Sequence, residues 1–397
     1  MRVTPVAQRV LRKGHPWLFD QAITGLSGEG APGDLAVIFD DRRRFLAVGL
    51  YDPTSPIRVR VLAHGAPTTI DRHWLRERLA EAAAWRATLP ESGTTGYRLV
   101  HGENDGLPGL VIDRYDATLV VKLYTPAWVP WLPDLCVALT DVCPALSVVL
   151  RLSRELLNNR PEFLFGLENG SALVGTPPVA PVRFTENGLR LEADVLRGQK
   201  TGFFFDQRDN RARAGKLAAG RRTLNVFAYS GGFSLYAARG GAPEVLSLDA
   251  SAPALAAAER NFALNRDLPT VAAVHHTVLA ADAFVALANL RGRGERFDLV
   301  IVDPPALAKR EDEVDGAIQA YARLTGLALG VLRPGGTLAM ASCSSRVSAE
   351  RFFATVNRAA QQAGRPLCEI DRTGHAIDHP VRFPEGAYLK CLFATAR

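Results

Sequence analysis

With 397 residues, 47% of them hydrophobic, the chain has enough apolar mass for two or three folded units. Its 47 Lys and Arg against 41 Asp and Glu leave a net charge of +6, compatible with an anionic partner but not diagnostic of one. No stretch approaches the ~18 consecutive apolar residues of a membrane span, and charge and proline interrupt MRVTPVAQRVLRKGHPWLF before a signal-like apolar core can form, so the expectation is a cytoplasmic protein with no membrane partner.

The first seventy residues read as short strands, GDLAVIFD, RRRFLAVGLYD and SPIRVRVLA, punctuated by Gly33, Asp40, Asp41, Asp52 and Pro53, which predicts a small β-barrel-like module over 1–69. A helix follows, with Trp74, Leu75, Leu79, Ala82 and Trp85 on one side and charges opposite. Strands in YRLVHGEN, GLVIDRYDATLVVKLY and SVVLRLS complete a central α+β region over 70–180, closed by the Pro/Gly-rich GSALVGTPPVAPV, with a boundary near Ala180. Beyond it, VRFTENGLRLEADVL predicts a hairpin turning at Asn187-Gly188. The remaining chain, within a segment 181–397, alternates strand and helix: TLNVFAY, SLYAARG, EVLSLD, ALAAAERNFALN, AAVHHTVL, AFVALANL, FDLVIVDPP, a helix over 315–332, and TLAMASCS. That alternation predicts a doubly wound α/β sheet.

Ligands of such sheets sit beyond the carboxyl ends of the strands. After NVFAY come Ser230, Gly231 and Gly232, which would let a ligand approach backbone and a helix N-terminus; an ordinary tight turn is the plain alternative. After EVLSL comes Asp249, placed to accept from ribose hydroxyls, although Asp249 or Ser251 could simply cap the next helix. Asp282 in AADAF could read an adenine amino group. The loop FAYSGGF lacks GxGxxG, which lowers the case for a nicotinamide cofactor. FDLVIVDPP ends a strand on Asp303, with Pro304 and Pro305 fixing the chain direction and withholding two N–H donors. Five cysteines, Cys136, Cys143, Cys343, Cys368 and Cys391, form no CxxC pair, so neither a disulfide framework nor a metal site is indicated. Two basic runs, Arg42 to Arg44 and Arg208, Arg211, Arg213, Lys216, Arg221 and Arg222, suit a polyanion, with solvated faces as the bland alternative. Phe203, Phe204 and Phe205 could stack a cofactor or base or simply fill core, and His15, Trp17, His275 and His276 read as structural.

Together, QKTGFFFDQRDNR, SGGF, LDAS, DPP, SCS and DHPVRFPEGAYLK, in that order, resemble the class I S-adenosylmethionine-dependent methyltransferases and, more closely, the bacterial large-subunit rRNA 5-methylcytosine methyltransferases. VLRKGHPWLFDQAI through RRFLAVGLYDPTSPIRVRVL looks like that family's RNA-binding PUA domain. The resemblance implies a Rossmann-like class I methyltransferase domain with a mainly parallel seven-stranded sheet, preceded by the PUA barrel and the central α+β domain. It implies S-adenosyl-L-methionine as cofactor, held by Gln207, Arg211, Ala228, Tyr229, Ser230, Gly231, Asp249, Ala250, Ser251, Asp282, Ala283 and Asp303. It implies Cys343 as a nucleophile adding to cytosine C6, and Asp303 holding or protonating the N3 side of the ring. Arg346, close to Cys343 in sequence, is an expected source of positive charge for the thiolate. The implied partner is RNA, either 23S rRNA or an assembling large ribosomal subunit, with a homodimer allowed. One departure stands out: two-cysteine relatives carry Pro-Cys in the strand-four motif, whereas DPPALAK has none, so product release must use another base. Other readings are a guanine-N2 enzyme, which needs no thiol, a uracil-5 enzyme, and a non-catalytic RNA-binding assembly factor.

Overall fold

The computed structural model describes residues 1–178 and 181–397, so the boundary expected near Ala180 lies outside the described residues. Residues 1–188, 192–205 and 377–383 pack as one unit, and 189–191, 206–376 and 384–397 as another.

In the first unit, a six-stranded sheet is built from Arg2–Val3, Trp17–Phe19, Ile23–Gly25, Leu35–Phe39, Phe45–Tyr51 and Ile57–His64. A five-stranded sheet follows, from Gly96–His101, Leu110–Tyr115, Thr118–Leu123, Ser147–Leu152 and Ala172–Gly175. Residues before the division expected at 69 have an apolar cluster of their own, with Leu11, Leu18, Ile38, Val59 and Val61, and also lend strands to a second one. Val48, Leu50 and Leu62 of the first sheet share one apolar cluster with Trp74, Leu79, Ile112, Val121 and Leu150. Beside that cluster, buried Asp52 accepts from Thr125 Oγ1 at 2.8 Å and from Arg160 at 2.9 Å. The helix Arg72–Trp85 starts where Asp71 accepts from Trp74 N–H, and it buries Trp74, Leu75, Leu79 and Ala82. Trp85, expected on the same face, is 51% exposed and donates its indole N–H to Ile377 O at 3.0 Å.

The predicted hairpin forms between Val182–Glu186 and Leu189–Ala193, with Asn187 and Gly188 both at positive φ, as a type I′ turn requires. Phe203 and Phe205 are core residues, edge-on or tilted against Tyr115 and Phe184 at 5.0–5.6 Å. Only Phe204 of the three stays half-buried, with Lys200 Nζ 4.7 Å from its ring centre. The late motif DHPVRFPEGAYLK is divided. Its Asp378 belongs to the first unit, where it accepts from Arg98 N–H at 2.9 Å and its carbonyl takes a bond from buried Arg86 at 3.0 Å; its Lys390 belongs to the second.

The second unit carries a seven-stranded sheet: β1 (Thr223–Val226), β2 (Glu244–Asp249), β3 (His275–Ala280), β4 (Phe297–Val302), β5 (Leu332–Ser342), β6 (Leu367–Thr373) and β7 (Lys390–Ala396). Their spatial order is β3-β2-β1-β4-β5-β7-β6, parallel except for β7, which is antiparallel to both neighbours. The central strands are apolar on both faces because helices cover both: Val226, Val300, Ile301 and Val302 are all buried. The helices are α1 (Arg208–Lys216), α2 (Gly232–Arg239), α3 (Ala252–Leu264), α4 (Pro269–Ala273), α5 (Ala283–Gly292), α6 (Val314–Val331) and α7 (Ala349–Gln362). Side chains at their N-termini accept from the first-turn backbone: Ser251 from Ala254, Asp282 from Val285, Ser348 from Arg351. The register aligns Val226 with both Leu248 and Val302, and Val302 with Met340, so β1, β2, β4 and β5 deliver their following residues at one edge of the sheet.

Candidate active site

The β1–α2 loop is wound tightly. Phe227, Tyr229 and Gly231 all have positive φ, a conformation that costs the two aromatic residues about 1 kcal/mol or more each and persists where surroundings enforce it. Part of that enforcement comes from Asp249 at the end of β2, whose two oxygens accept from Tyr229 N–H and Ser251 N–H, each at 2.8 Å. Asp249 therefore ties the β1 and β2 loops together, and Ser251 caps α3. A carboxylate offers about four lone-pair directions, so Asp249 keeps acceptor capacity for hydroxyls. At Gly231, φ +77 disfavours any side chain, and an added Cβ would meet that of Ala258 at 2.6 Å. Ser230 is buried, its carbonyl accepts from Asn261 at 2.9 Å, and its Oγ is buried without a hydrogen-bond partner. That orphaned hydroxyl beside a bare glycine turn and an acidic strand end fits a polar, ribose-bearing ligand. Ala228 is buried and Ala250 exposed in the same two loops. Beyond β3, exposed Asp282 caps α5 through Val285 N–H at 3.0 Å, and Ala283 is buried behind it.

The β4 and β5 ends are held differently. Asp303 continues the ladder through its N–H to Val226 O at 3.3 Å, and its Oδ1 accepts from Gln207 Nε2 at 2.8 Å. Gln207, just before α1, is fixed in turn by Asn210 at 2.6 Å, and Asn210 by Thr373 Oγ1 at 2.5 Å. Arg211 is buried in the same helix. Cys343, half-buried, follows β5 and points its sulfur at Pro304 O, 3.7 Å away, within the DPP turn. The serines flanking it are buried. Ser344 Oγ accepts from Leu307 N–H at 2.9 Å and Ala308 N–H at 3.3 Å, fastening the ALAK stretch to the cysteine loop. Tyr321 of α6 bridges Ser342 and Ser344 with its hydroxyl at 2.8 and 2.9 Å.

Lys390, the first residue of β7, was not singled out by sequence reasoning. Its register partner is Ser342, and its ammonium donates to Ser344 O at 2.6 Å, Val347 O at 2.7 Å and Tyr388 O at 3.0 Å. Burial lowers its pKa to about 8, while the charge of Cys343 raises it. Its only signal in the sequence is its place at the end of DHPVRFPEGAYLK. Arg346, the expected cation, is exposed. Cys391, next to Lys390, is fully buried, and desolvation with the nearby Asp303 pushes its pKa well up. Most of the second basic run is engaged within the fold, although Lys216 is exposed. Arg208 and Arg211 are buried, Arg213 lies 3.3 Å from Asp371, Arg221 donates to Thr337, and Arg222 pairs with Glu244 and Glu295. By contrast, Arg42, Arg43 and Arg44 are exposed, with Arg44 on Asp40 at 2.8 Å. His276 is structural as expected, stacked on Phe262 at 3.7 Å.

The sheet order, the tight loops after β1 and β2 and the placement of Asp303 and Cys343 after β4 and β5 describe a class I methyltransferase. A family model for S-adenosylmethionine-dependent methyltransferases matches residues 98–388, and one for PUA-like domains matches residues 1–64. A crystal structure of a protein described as a methyltransferase, complexed with SAH, superposes with TM-score 0.84 at 21% identity over 100% of this chain and 99% of that one. A Streptococcus mutans protein described as SAM-dependent gives 0.82 at 20%, with the same coverage. At the sequence level, a ribosomal RNA large subunit methyltransferase of Deinococcus radiodurans is 50% identical over 99% of this chain and 96% of its own length. Ribosomal RNA large subunit methyltransferase I of Pseudoalteromonas translucida is 38% identical over 96% and 95%. The chain belongs to this family of S-adenosylmethionine-dependent large-subunit rRNA methyltransferases with an N-terminal PUA-like domain.

Proposed function

We propose that this protein methylates C5 of a cytosine in large-subunit ribosomal RNA through a covalent bond between Cys343 and C6. The observation that carries the reading is the thiol of Cys343 at the end of β5, 3.7 Å from the DPP turn that follows β4. A purely structural cysteine needs no such place, and an exocyclic-amine methyltransferase needs no thiol. Cytosine C5 is too electron-poor to attack a sulfonium unaided, but addition of a thiolate to C6 turns C5 into an enamine-like nucleophile.

In this reading Ser230, Gly231 and Asp249 hold the nucleoside end of the cofactor, and Asp282 and Ala283 lie towards its base. Ala228, Tyr229, Ala250 and Ser251 shape the two loops, while Gln207 and Arg211 close the β4 side. Strands ~4.8 Å apart put the β3 end ~19 Å from the β5 end, room for a nucleoside and a target base side by side. Bound S-adenosyl-L-methionine supplies the methyl group. Cys343 sulfur forms a bond to C6, the C5–C6 π electrons move through the ring towards N3, and Asp303, oriented by Gln207, acts as the general acid that gives N3 its proton. Once C5 carries the methyl, its proton passes to a water molecule, the electrons return to the C5–C6 bond and expel the thiolate, and N3 gives its proton back to Asp303. The base must leave its stack to be reached, at a cost of a few kcal/mol that favours loops and unpaired sites. The PUA-like domain, with its exposed Arg42 to Arg44 turn, would grip phosphates in a salt-sensitive, largely sequence-blind manner.

The test is to incubate the full-length protein with unmodified large-subunit rRNA and labelled cofactor, then identify the labelled nucleoside by mass spectrometry. 5-Methylcytidine is the expected product, absent with Cys343→Ala. 5-Methyluridine or a methylated guanine would overturn the assignment, as would full activity of the Cys343→Ala protein. Cofactor binding or methyl transfer that cannot be detected at all would favour an assembly factor instead.

A further inference from the structure

Lys390 is 4% exposed, and among the described residues no carboxylate pairs with it. A lysine in that position is costly, because desolvation penalises the ammonium and no counter-ion offsets it. Its three donors are nevertheless matched one to one with carbonyls of Ser344, Val347 and Tyr388. Removing a proton would leave one of those carbonyls without its donor, so the geometry holds Lys390 in the charged form. Two of the three carbonyls belong to the loop that carries Cys343, and one is on the residue next to it.

We propose that Lys390 is a positioning residue that stabilises Cys343 as a thiolate by placing an uncompensated buried ammonium under the cysteine loop. This rests on the reading that Cys343 is the nucleophile. Only the thiolate attacks, and an ordinary thiol ionises near ~8.5. In its S–H form Cys343 donates to Pro304 O. On ionisation the proton leaves to solvent water, the electron pair stays on sulfur, and that sulfur then faces the negative end of the Pro304 carbonyl. A fixed positive charge is what offsets this, and the coupling is reciprocal: the charge on Cys343 raises the pKa of Lys390 against burial. Exposed Arg346 is screened by water and salt, whereas a buried charge is not.

The experiment uses the full-length protein without RNA or cofactor. The rate of Cys343 alkylation by iodoacetamide is followed against pH, resolved by peptide mass spectrometry so that Cys136 and Cys368 do not contribute. Lys390→Met is expected to raise the midpoint by about one unit and slow alkylation at neutral pH about tenfold, and Lys390→Arg to restore most of the difference. A folded Lys390→Met protein with an unchanged midpoint overturns the proposal. Should Lys390→Met not fold, the reciprocal measurement decides: Cys343→Ser should lower the pH midpoint for Lys390 acetylation by acetic anhydride, and an unmoved midpoint overturns the proposal. Alkylation is read independently of methyl transfer, so failure of Cys343 as catalytic nucleophile would show in the methylation assay and failure of the lysine's role in this one.

Discussion

The two halves of the strand-end edge are built by different means. Over β1, β2 and β3, several bonds that close the loops are short-range, Asp249 to Ser251 N–H, Ser251 to Ala254 N–H and Asp282 to Val285 N–H, while Tyr229, Asn261, Ala228 and Ala281 reach further. Over β4 and β5, most side-chain supports come from far along the chain. Gln207 reaches Asp303 across 96 positions, Ser344 takes the N–H groups of Leu307 and Ala308, Tyr321 bridges two serines, and Lys390 arrives from β7. A cofactor common to many enzymes can be held by local turns. A reacting thiol needs a position set from several directions at once, because small displacements of a catalytic group are expensive in rate.

If that division is functional, variants should separate cleanly into those that change cofactor affinity and those that change turnover. The largest effect belongs to the reaction half: Cys343→Ala should lower methyl transfer by roughly a thousandfold or more, while the dissociation constant for S-adenosyl-L-methionine, measured by calorimetry, stays unchanged. Next comes an acid limit on the cofactor half. His276 bonds Ser247 of β2 at 2.9 Å through Nε2 and is half-buried against Phe262, and desolvation together with neighbouring His275 lowers its pKa to about 4 from 6.5. Between those values the unfolded chain binds the proton and the folded chain does not, so stability is present at neutral pH and falls as pH drops through that window, by up to ~3 kcal/mol. Urea unfolding at pH 7 and pH 4.5 should show the loss, and His276→Phe should flatten it. A smaller effect is expected for Asp249→Asn. Its amide nitrogen cannot accept, so either Tyr229 or Ser251 N–H loses its partner, and cofactor affinity should fall about tenfold with the rate at saturating cofactor little changed. A variant of this kind that cut turnover and spared affinity would break the comparison.

The same division explains what could be read from residues alone. Strand–helix alternation, the Asn187-Gly188 hairpin, the caps at Ser251 and Asp282, and the placement of Asp249, Asp303 and Cys343 after apolar runs are local patterns, and the structure has them where the periodicity puts them. Lys390 was not legible, because a lysine opening a strand looks like any solvated lysine until the antiparallel register sets it opposite Ser342. The ion pairs within the run from Arg208 to Arg222 were not legible for the matching reason: charge in a sequence says nothing about Glu244, Glu295 and Asp371 waiting across the fold. Trp85 fits the apolar face of its helix by spacing, yet it lies at the last turn, where the indole serves Ile377 O instead of the core. Residues 1–69 have their own cluster and still lend Val48, Leu50 and Leu62 to the cluster of the next segment, and no composition shift marks that sharing.

The finest probe of the reaction half is the Tyr321 hydroxyl. It is buried, desolvation raises its pKa, and it contacts the hydroxyls of Ser342 and Ser344 on either side of Cys343. Tyr321→Phe keeps the ring, which packs edge-on against Phe352 at 5.1 Å, and removes only that bridge. The two serines retain other partners: Ser344 Oγ still accepts from Leu307 and Ala308, and Ser342 Oγ still accepts from Ser344 N–H at 3.3 Å. Neither is left as an orphan, so the stability cost should be only about 1 kcal/mol, one ordinary hydrogen bond, read as a small drop in Tm. Turnover should nonetheless fall several-fold with cofactor affinity intact, since the bridge fixes the backbone on both sides of the sulfur without touching the cofactor loops. Equal losses in affinity and turnover would mean that the β5 loop is held by the sheet alone, and that the long-range supports are packing rather than alignment.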